Sequence, residues 1–256
     1  MPRRQKKTLL KLVVLSLILT AIILGGSSVY RWMRYRKARL THYKEFGIPM
    51  PDEYSIHGID VSRYQNIIAW EEVKAMKVKA ISMGFTYIKA TEGISNIDPQ
   101  FNRNWKRSKE AGLLRGAYHF FISSKDGKLQ AQNFIAKVDL ETGDLPPVLD
   151  IEQMNGANRD EIKREAKRFL DVIEEYYRVR PVIYTNVDFY NRVLGSDFDK
   201  YPLWVAHYYQ PFEPKISRGW VLWQHNDGGR VNGIISPVDF NVFNGDSLNF
   251  RDFLLK

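Results

Sequence analysis

Asp150 and Glu152 stand two residues apart in the run Pro147-Val148-Leu149-Asp150-Ile151-Glu152. Side chains alternate along a strand. Both carboxylates therefore share one face while Leu149 and Ile151 pack the other way, with the acids' Cα atoms roughly 6–7 Å apart. Two acids in an otherwise apolar strand are costly to bury without purpose. Placed at an exposed strand end, they could simply bind backbone donors. Two more acids occupy similar runs: Asp60 in His57-Gly58-Ile59-Asp60-Val61-Ser62, and Asp239 in Val238-Asp239-Phe240-Asn241. Clustered carboxylates repel, so at least one holds its proton well above the usual carboxylate range. Glycoside hydrolysis needs this pairing, with one protonated acid for the leaving oxygen and one carboxylate to stabilise or attack the cationic sugar carbon. Phosphoryl transfer would call for a phosphate-binding loop, and neither Gly-x-x-x-x-Gly-Lys nor Gly-x-Gly-x-x-Gly occurs. A Mg²⁺ or Ca²⁺ site built on the same acids is a physical alternative.

The acids need elements to position them. Short apolar runs predict eight strands: 56–61, 87–91, 116–121, 148–152, 182–185, 203–207, 221–225 and 238–242. Segments between the first five can hold helices, predicted over 68–79, 101–111, 128–138 and 160–177. In the last, Ile162, Ala166, Phe169, Leu170, Ile173 and Tyr177 fall on one face. Asn158 with Glu161 three residues on resembles a helix-start capping pair. Strand–helix alternation predicts parallel strands with right-handed crossovers. Eight of them suggest a closed α/β barrel, irregular in its second half where the links are short; a doubly wound open sheet is the alternative. In such a barrel reactive groups sit at the C-terminal strand ends. Closure would bring the first and eighth strands together, and Asp60 beside Asp239.

Aromatic residues crowd the same strand ends: Tyr118, Phe120, Tyr184, Trp204, Tyr208 and Trp223. Flat rings suit the apolar faces of sugars, although each ring taken alone is equally at home in a core. The five histidines (42, 57, 119, 207, 225) lack His-x-x-x-His spacing; His119 and His225 read as hydrogen-bonded strand residues rather than ligands.

The chain has 256 residues, 44% of them hydrophobic, enough for one large core. Its formal charge of +9 is unevenly placed. Ten Lys and Arg and no acids lie in residues 1–40, leaving 28 basic against 29 acidic residues in the remainder. The body offers no electrostatic case for nucleic acid. There are no cysteines, which excludes disulfides, thiolate metal sites and a Cys nucleophile. Leu12 to Tyr30 is uncharged and flanked by basic clusters; at helical rise it spans about 28 Å, close to a bilayer's hydrocarbon core. It reads as a membrane anchor or a cleaved signal peptide. The expected organisation is a basic membrane or signal segment over 1–40, a Pro-containing linker over 41–55 and a catalytic barrel over 56–256.

The ordered motifs resemble a known family, the family 25 glycoside hydrolases, the N-acetylmuramidase lysozymes. The resemblance runs from His57 to about Gly245. It is carried by Gly58-Ile59-Asp60-Val61-Ser62, Ile88-Lys89-Ala90-Thr91-Glu92-Gly93, Asp98 and Phe101 leading to Gly112, and Gly116-Ala117-Tyr118-His119-Phe120. Leu149-Asp150-Ile151-Glu152, Pro181-Val182-Ile183-Tyr184-Thr185, Leu203-Trp204-Val205-Ala206, Trp223-Gln224 and Asp239-Phe240-Asn241 follow in family order. It implies an irregular TIM-like barrel whose last strands lack helices. It also implies hydrolysis of the β-1,4 bond between N-acetylmuramic acid and N-acetylglucosamine, without cofactor or metal. By that resemblance Glu152 is the general acid, and Asp150 steadies the substrate acetamide or the oxocarbenium ion. Asp60 and Asp239 are supporting carboxylates, and Tyr118, Tyr184, Trp204 and Gln224 line the groove. The implied partners are peptidoglycan strands and, through the N-terminal segment, a membrane. The body is then a monomer on the outer side of the cell membrane, or secreted after cleavage. Two other readings compete: an idle glycan-binding module, and an enzyme cutting chitin-like N-acetylglucosamine polymers.

Overall fold

The computed structural model describes the backbone of residues 3–37 and 40–256 and the side chains of residues 11–29 and 40–256. Helix α1 (Arg3–Lys37) contains the apolar stretch Lys11–Val29, of mean hydropathy 2.4 and fully exposed. The basic clusters on either side of it, Lys11 apart, lie outside the described side chains.

The segment expected as a linker is folded. Strands β1 (Leu40–Tyr43) and β2 (Ile48–Pro51) pair antiparallel in a hairpin, with Phe46, Ile48 and Met50 buried. Its prolines do not oppose this, because a two-stranded ribbon is all edge and spares their missing N–H groups.

The barrel comprises β3 (His57–Val61), β5 (Ile81–Glu92), β7 (Leu114–Phe120), β8 (Val148–Asp150), β9 (Val182–Asn186), β10 (Leu203–Ala206), β11 (Leu222–Gly229) and β12 (Val238–Phe243). Two short strands, β4 (Lys77–Val78) and β6 (Asn96–Ile97), flank β5. From β3 through β11 the neighbours are parallel. The eighth strand departs from expectation: β12 runs antiparallel to both β11 and β3. Only residues 230–237 join β11 to β12. A parallel crossover needs a dozen or more residues, so this link can only reverse the chain.

Helices α2 (Trp70–Ala75), α3 (Phe101–Glu110), α4 (Gly127–Ile135) and α5 (Arg159–Tyr177) back the first strands; the turn α6 (Val187–Phe189) follows β9 and α7 (Ser247–Phe253) closes the chain. The helix expected over 68–79 is only α2, because the chain turns into β4 and Lys79 takes φ +54°. The predicted cap of α5 is present: the Asn158 side chain accepts from the N–H groups of Asp160 and Glu161, and Glu161 accepts from the Asn158 N–H at 2.9 Å. Ile162, Ala166, Phe169, Leu170 and Ile173 are buried on the face predicted from spacing.

Two apolar layers hold the barrel. Outside it, Ile88, Leu149 and Ile151 join a cluster with Phe134, Ile162 and Phe169 from the helices. Inside it, Phe85, Tyr87, Val148, Val182, Leu222 and Phe243 form a plug, against which Phe250 of α7 packs. Glycines make the room: a Cβ at Gly58 would lie 2.6 Å from the Phe85 ring, and one at Gly116 2.3 Å from the Tyr87 ring. Where helices are missing, behind β11 and β12, the hairpin substitutes. Phe46 meets Phe240 edge-on at 5.4 Å, and the Arg230 N–H donates to the Phe46 carbonyl at 2.9 Å.

Candidate active site

Above the plug, at the C-terminal ends of the parallel strands, lies a cavity of about 230 Å³. Asp60, Asp150, Glu152, Asp239, Tyr118, Tyr184, Trp204 and Gln224, the eight site residues expected from the sequence, all line it. Ser62, Tyr64, Lys89, Phe120 and Tyr208 complete the wall. Strand alternation accounts for the inward set, since the residues between them, such as Ile59, Leu149 and Phe240, join the outer cluster. Trp223 departs from the expected aromatic group: it alternates outward beside Gln224, and its Nε1 donates to the His207 carbonyl at 2.9 Å.

Asp60 and Asp239 are direct register partners across β3 and β12. They meet at the mouth because β12 is reversed: Asp239 stands near the start of its strand, and antiparallel pairing carries that start to the end of β3. The two carboxyls are hydrogen-bonded to each other. Asp60 Oδ2 also accepts from Gln224 Nε2 at 2.8 Å and from Asn241 Nδ2 at 2.7 Å. Burial raises both acids. Asp60 rises to about 6, restrained by its amide donors, and Asp239 to about 9, pushed further by the negative charge of Asp60. One proton is therefore shared at neutral pH and resides on the Asp239 side.

Asp150 ends β8 and is buried; Glu152 lies just past the strand and is partly exposed. Burial raises both, and for Asp150 repulsion by Glu152 adds to it, while the Lys89 ammonium pulls both down. Asp150 Oδ1 is buried with no hydrogen-bond partner among the described residues. Lys89 pairs with Glu92 at 2.6 Å and lies 4.6 Å from the centre of the Phe120 ring. The β5–β7 register shifts between Lys89 and Thr91, an irregularity of the kind that re-aims side chains at barrel rims.

The remaining wall is a hydrogen-bonded frame. The Tyr184 and Tyr208 hydroxyls both donate to Gln224 Oε1 at 2.7 Å. Trp204, 2% exposed, stacks on Tyr87 at 4.9 Å and donates from Nε1 to Asn241 Oδ1 at 2.8 Å. Gln224 and Trp204 thus spend their polar atoms on the protein and form the floor. Sequence reasoning missed the parts of Lys89, Tyr64 and Asn241. Lys89 was accessible, since Phe85, Tyr87 and Lys89 alternate along one strand; Tyr64 lies in an irregular loop and carries no such signal.

The histidines take no part in the cavity. His119 is buried outside the barrel, with Nδ1 on Thr91 Oγ1 at 2.7 Å and Nε2 on Gln130 Oε1 at 3.2 Å. His225 departs from the hydrogen-bonded reading in one atom: its Nε2 is buried with no partner among the described residues. No group of three or more His, Asp or Glu among the described residues is arranged to hold a metal ion.

Known proteins are similar to this chain in sequence and fold. The description Glycosyl hydrolases family 25 matches residues 59–234. Lysozyme M1 of Streptomyces globisporus is 36% identical over 211 residues, 77% of this chain and 70% of its own. The Escherichia coli K12 protein YegX is 46% identical over 211 residues, 82% of this chain and 78% of its own. Among solved structures, a family 25 glycosyl hydrolase from Bacillus anthracis superposes with a TM-score of 0.73 at 28% identity, over 84% of this chain and 97% of that one. A bacterial lysozyme from Streptomyces coelicolor gives 0.70 at 33% identity, over 78% and 96%. The matched stretch spans well over half of the sequence and takes in Asp60, Asp150 and Glu152, ending just before the reversed last strand, and the chain belongs to family 25 of the glycosyl hydrolases.

Proposed function

We propose that the chain is a muramidase that cuts the β-1,4 bond between N-acetylmuramic acid and N-acetylglucosamine in peptidoglycan. One observation carries the reading: a partly exposed acid raised by burial, Glu152, stands beside a buried acid with an unmet oxygen, Asp150, in one cavity. Lysozyme M1 and the N,O-diacetylmuramidase of Chalaropsis sp., 28% identical, support the choice of bond by their names.

Glu152 is the proton donor because it is the accessible member of the pair. As the C1–O4 bond breaks, its electron pair goes to O4 and the Glu152 proton follows. Water then supplies hydroxyl to C1, and its remaining proton restores the acid. Asp150 Oδ1 takes the acetamide N–H or faces the developing cation. Asp60, anchored by two amides, and its proton-sharing partner Asp239 keep negative charge close by; both push the Asp150 carboxyl up. Tyr118 and Tyr184 bound the sugar, above the floor of Trp204 and Gln224. No cofactor enters these steps.

The apolar helix α1 supports attachment to the membrane, with the barrel outside the cell, or export followed by cleavage. That segment precedes the hairpin, with which the catalytic domain, monomeric, begins. Retention of the segment is read from N-terminal peptides of the membrane fraction.

The direct test incubates the full chain in detergent with purified peptidoglycan, reduces the products with borohydride and identifies the new end sugar by mass spectrometry. Reduced muramic acid ends are expected. Reduced glucosamine ends would move the cut to the other bond, and binding without new ends would make the protein an idle glycan-binding module. Faster cleavage of chitin oligomers than of peptidoglycan would reassign the substrate.

A further inference from the structure

Two loops at the rim of the barrel mouth are laced together. One follows β3 and the other links β11 to β12. Gln65 Nε2 donates to the Pro237 carbonyl at 3.0 Å, and the Ala69 N–H donates to the Gly233 carbonyl at 2.9 Å. Ile67 lies midway between the two bonds on the first loop and Ile235 midway between them on the second, so these side chains stand opposite each other. Both are exposed, Ile235 completely and Ile67 at 62%. Tyr64, 72% exposed, extends the patch to the cavity that it lines, and its carbonyl accepts from Ser236 Oγ at 3.4 Å. Single exposed apolar residues are ordinary, whereas a patch assembled from two bonded loops marks a contact surface. Exposed arginines border it: Arg63 lies 5.4 Å from the centre of the Tyr64 ring, and Arg230 begins the second loop.

We propose that this patch docks on the phospholipid bilayer and seats one rim of the catalytic mouth at the membrane surface. The assignment rests on the reading of α1 as a retained membrane segment. Chain length supports it. From Val29, the end of the apolar span, α1 rises about 12 Å to Lys37, and β1 begins at most about 11 Å further on. The folded body is roughly 45 Å across for its length, so it is tied to the bilayer by less than its own width. The hairpin is the first folded element after the span, and it is bonded to the second loop through Phe46 and Arg230.

The chemistry of the patch favours lipid over glycan. Branched aliphatic side chains offer sugar hydroxyls no partner but suit the acyl boundary. Tyr and Arg belong at headgroup level, where the arginines meet phosphate. A small patch suffices, because tethering makes the contact intramolecular. Tyr64 belongs to patch and cavity alike, so docking holds the mouth beside the membrane and directs cutting to the glycan strands that lie against it.

The chain has no cysteine, so Ile235→Cys carries a single label. The full chain, labelled there with nitrobenzoxadiazole, is reconstituted in phosphatidylcholine–phosphatidylglycerol vesicles. Lys167→Cys, exposed on α5 across the barrel from β3 and β12, is the reference. Lipids with brominated acyl chains are expected to quench the label at 235 at least about threefold more than the label at 167. Adding Ile67→Asp should abolish that difference and leave hydrolysis in detergent unchanged. Equal quenching at both sites, in a chain that floats with the vesicles, overturns the docking and leaves the anchor in place. A chain that does not float overturns the anchor reading and the docking with it. A difference that survives Ile67→Asp overturns the paired patch. A blue shift of the label at 235 when peptidoglycan is added in detergent assigns the patch to glycan and overturns the docking too.

Discussion

Strands β3, β11 and β12 carry acids and amides on their inner face, while β3 and β11 carry histidines on the outer one, and the two faces are built differently. Inside, Asp60, Asp239, Gln224 and Asn241 form a network in which one oxygen of the Asp60 carboxylate accepts from two amides. Outside, His57 and His225 are buried, His225 between the Trp223 and Phe240 rings, each with one ring nitrogen unmet among the described residues. Burial pushes the inner acids up and the outer histidines down, His57 to about 4 and His225 to about 3. Both faces therefore favour the uncharged form, and they pull the pH optimum of stability in opposite directions. The lesson is that one ladder of backbone hydrogen bonds supports two unlike polar environments only 180° apart.

The comparison breaks most decisively at the proton donor. Glu152→Gln should lower kcat on peptidoglycan by about 10²–10⁴-fold while the melting temperature stays near that of the wild type; retained activity would remove Glu152 from its role. On the outer face, Phe46→Ala should cost about 3–5 kcal/mol of stability in a denaturant titration by undoing the hairpin's contact with Phe240. Activity per folded molecule at low temperature should stay within about twofold, because Phe46 packs on the outer face of β12 and does not line the cavity. A smaller effect separates the faces by pH. The inner acids are raised from 3.8, so the stability they contribute is full below that value and is lost as pH rises through about 6 and about 9. Asp239→Asn should therefore melt progressively higher than the wild type from pH 5 to pH 9, by several degrees at the upper end, while hydrolysis slows. The smallest change is at His225. Its contribution is present above 6.5 and is lost as pH falls toward about 3. His225→Phe, which keeps a ring between Trp223 and Phe240, should reduce the drop in melting temperature between pH 7 and pH 4.5 by a few degrees. An unchanged drop would place acid sensitivity elsewhere.

Much of the inner face was legible because period-two alternation is a strict rule. Asp150 with Glu152, and Tyr118 with Phe120, declare a shared side as soon as the strand is recognised. The neighbourhood of Asp60 and Asp239 followed from closure alone, yet the strand direction behind it did not. The decisive fact was the shortness of the link over 230–237, which forces reversal. The outer face was less readable. Leu40–Pro51 contains two prolines and a basic flank, and its apolar positions Phe46, Ile48 and Met50 are too few to declare a layer. Their partners, Phe240 and Gly229, lie almost two hundred residues away, where no local pattern reaches. Trp223 was misplaced for a related reason: aromatic type alone does not tell which face a residue takes, whereas its spacing from Gln224 does.

The β3–β12 ladder also sets a time at which the site comes into being. Asp60 and Asp239 meet only when the first barrel strand pairs with the last. That pairing carries the loop-closure entropy of nearly the whole barrel, whereas each helix and its flanking strand can associate locally and sooner. A chain still emerging from the ribosome already bears Asp60, Asp150 and Glu152 but lacks Asp239 and Asn241, so Asp60 has no partner for its proton and one amide fewer to hold it. Synthesis must pass residue 243 before the ring can shut, so the Asp60–Asp239 pair completes a cluster whose other two acids are already neighbours in the chain.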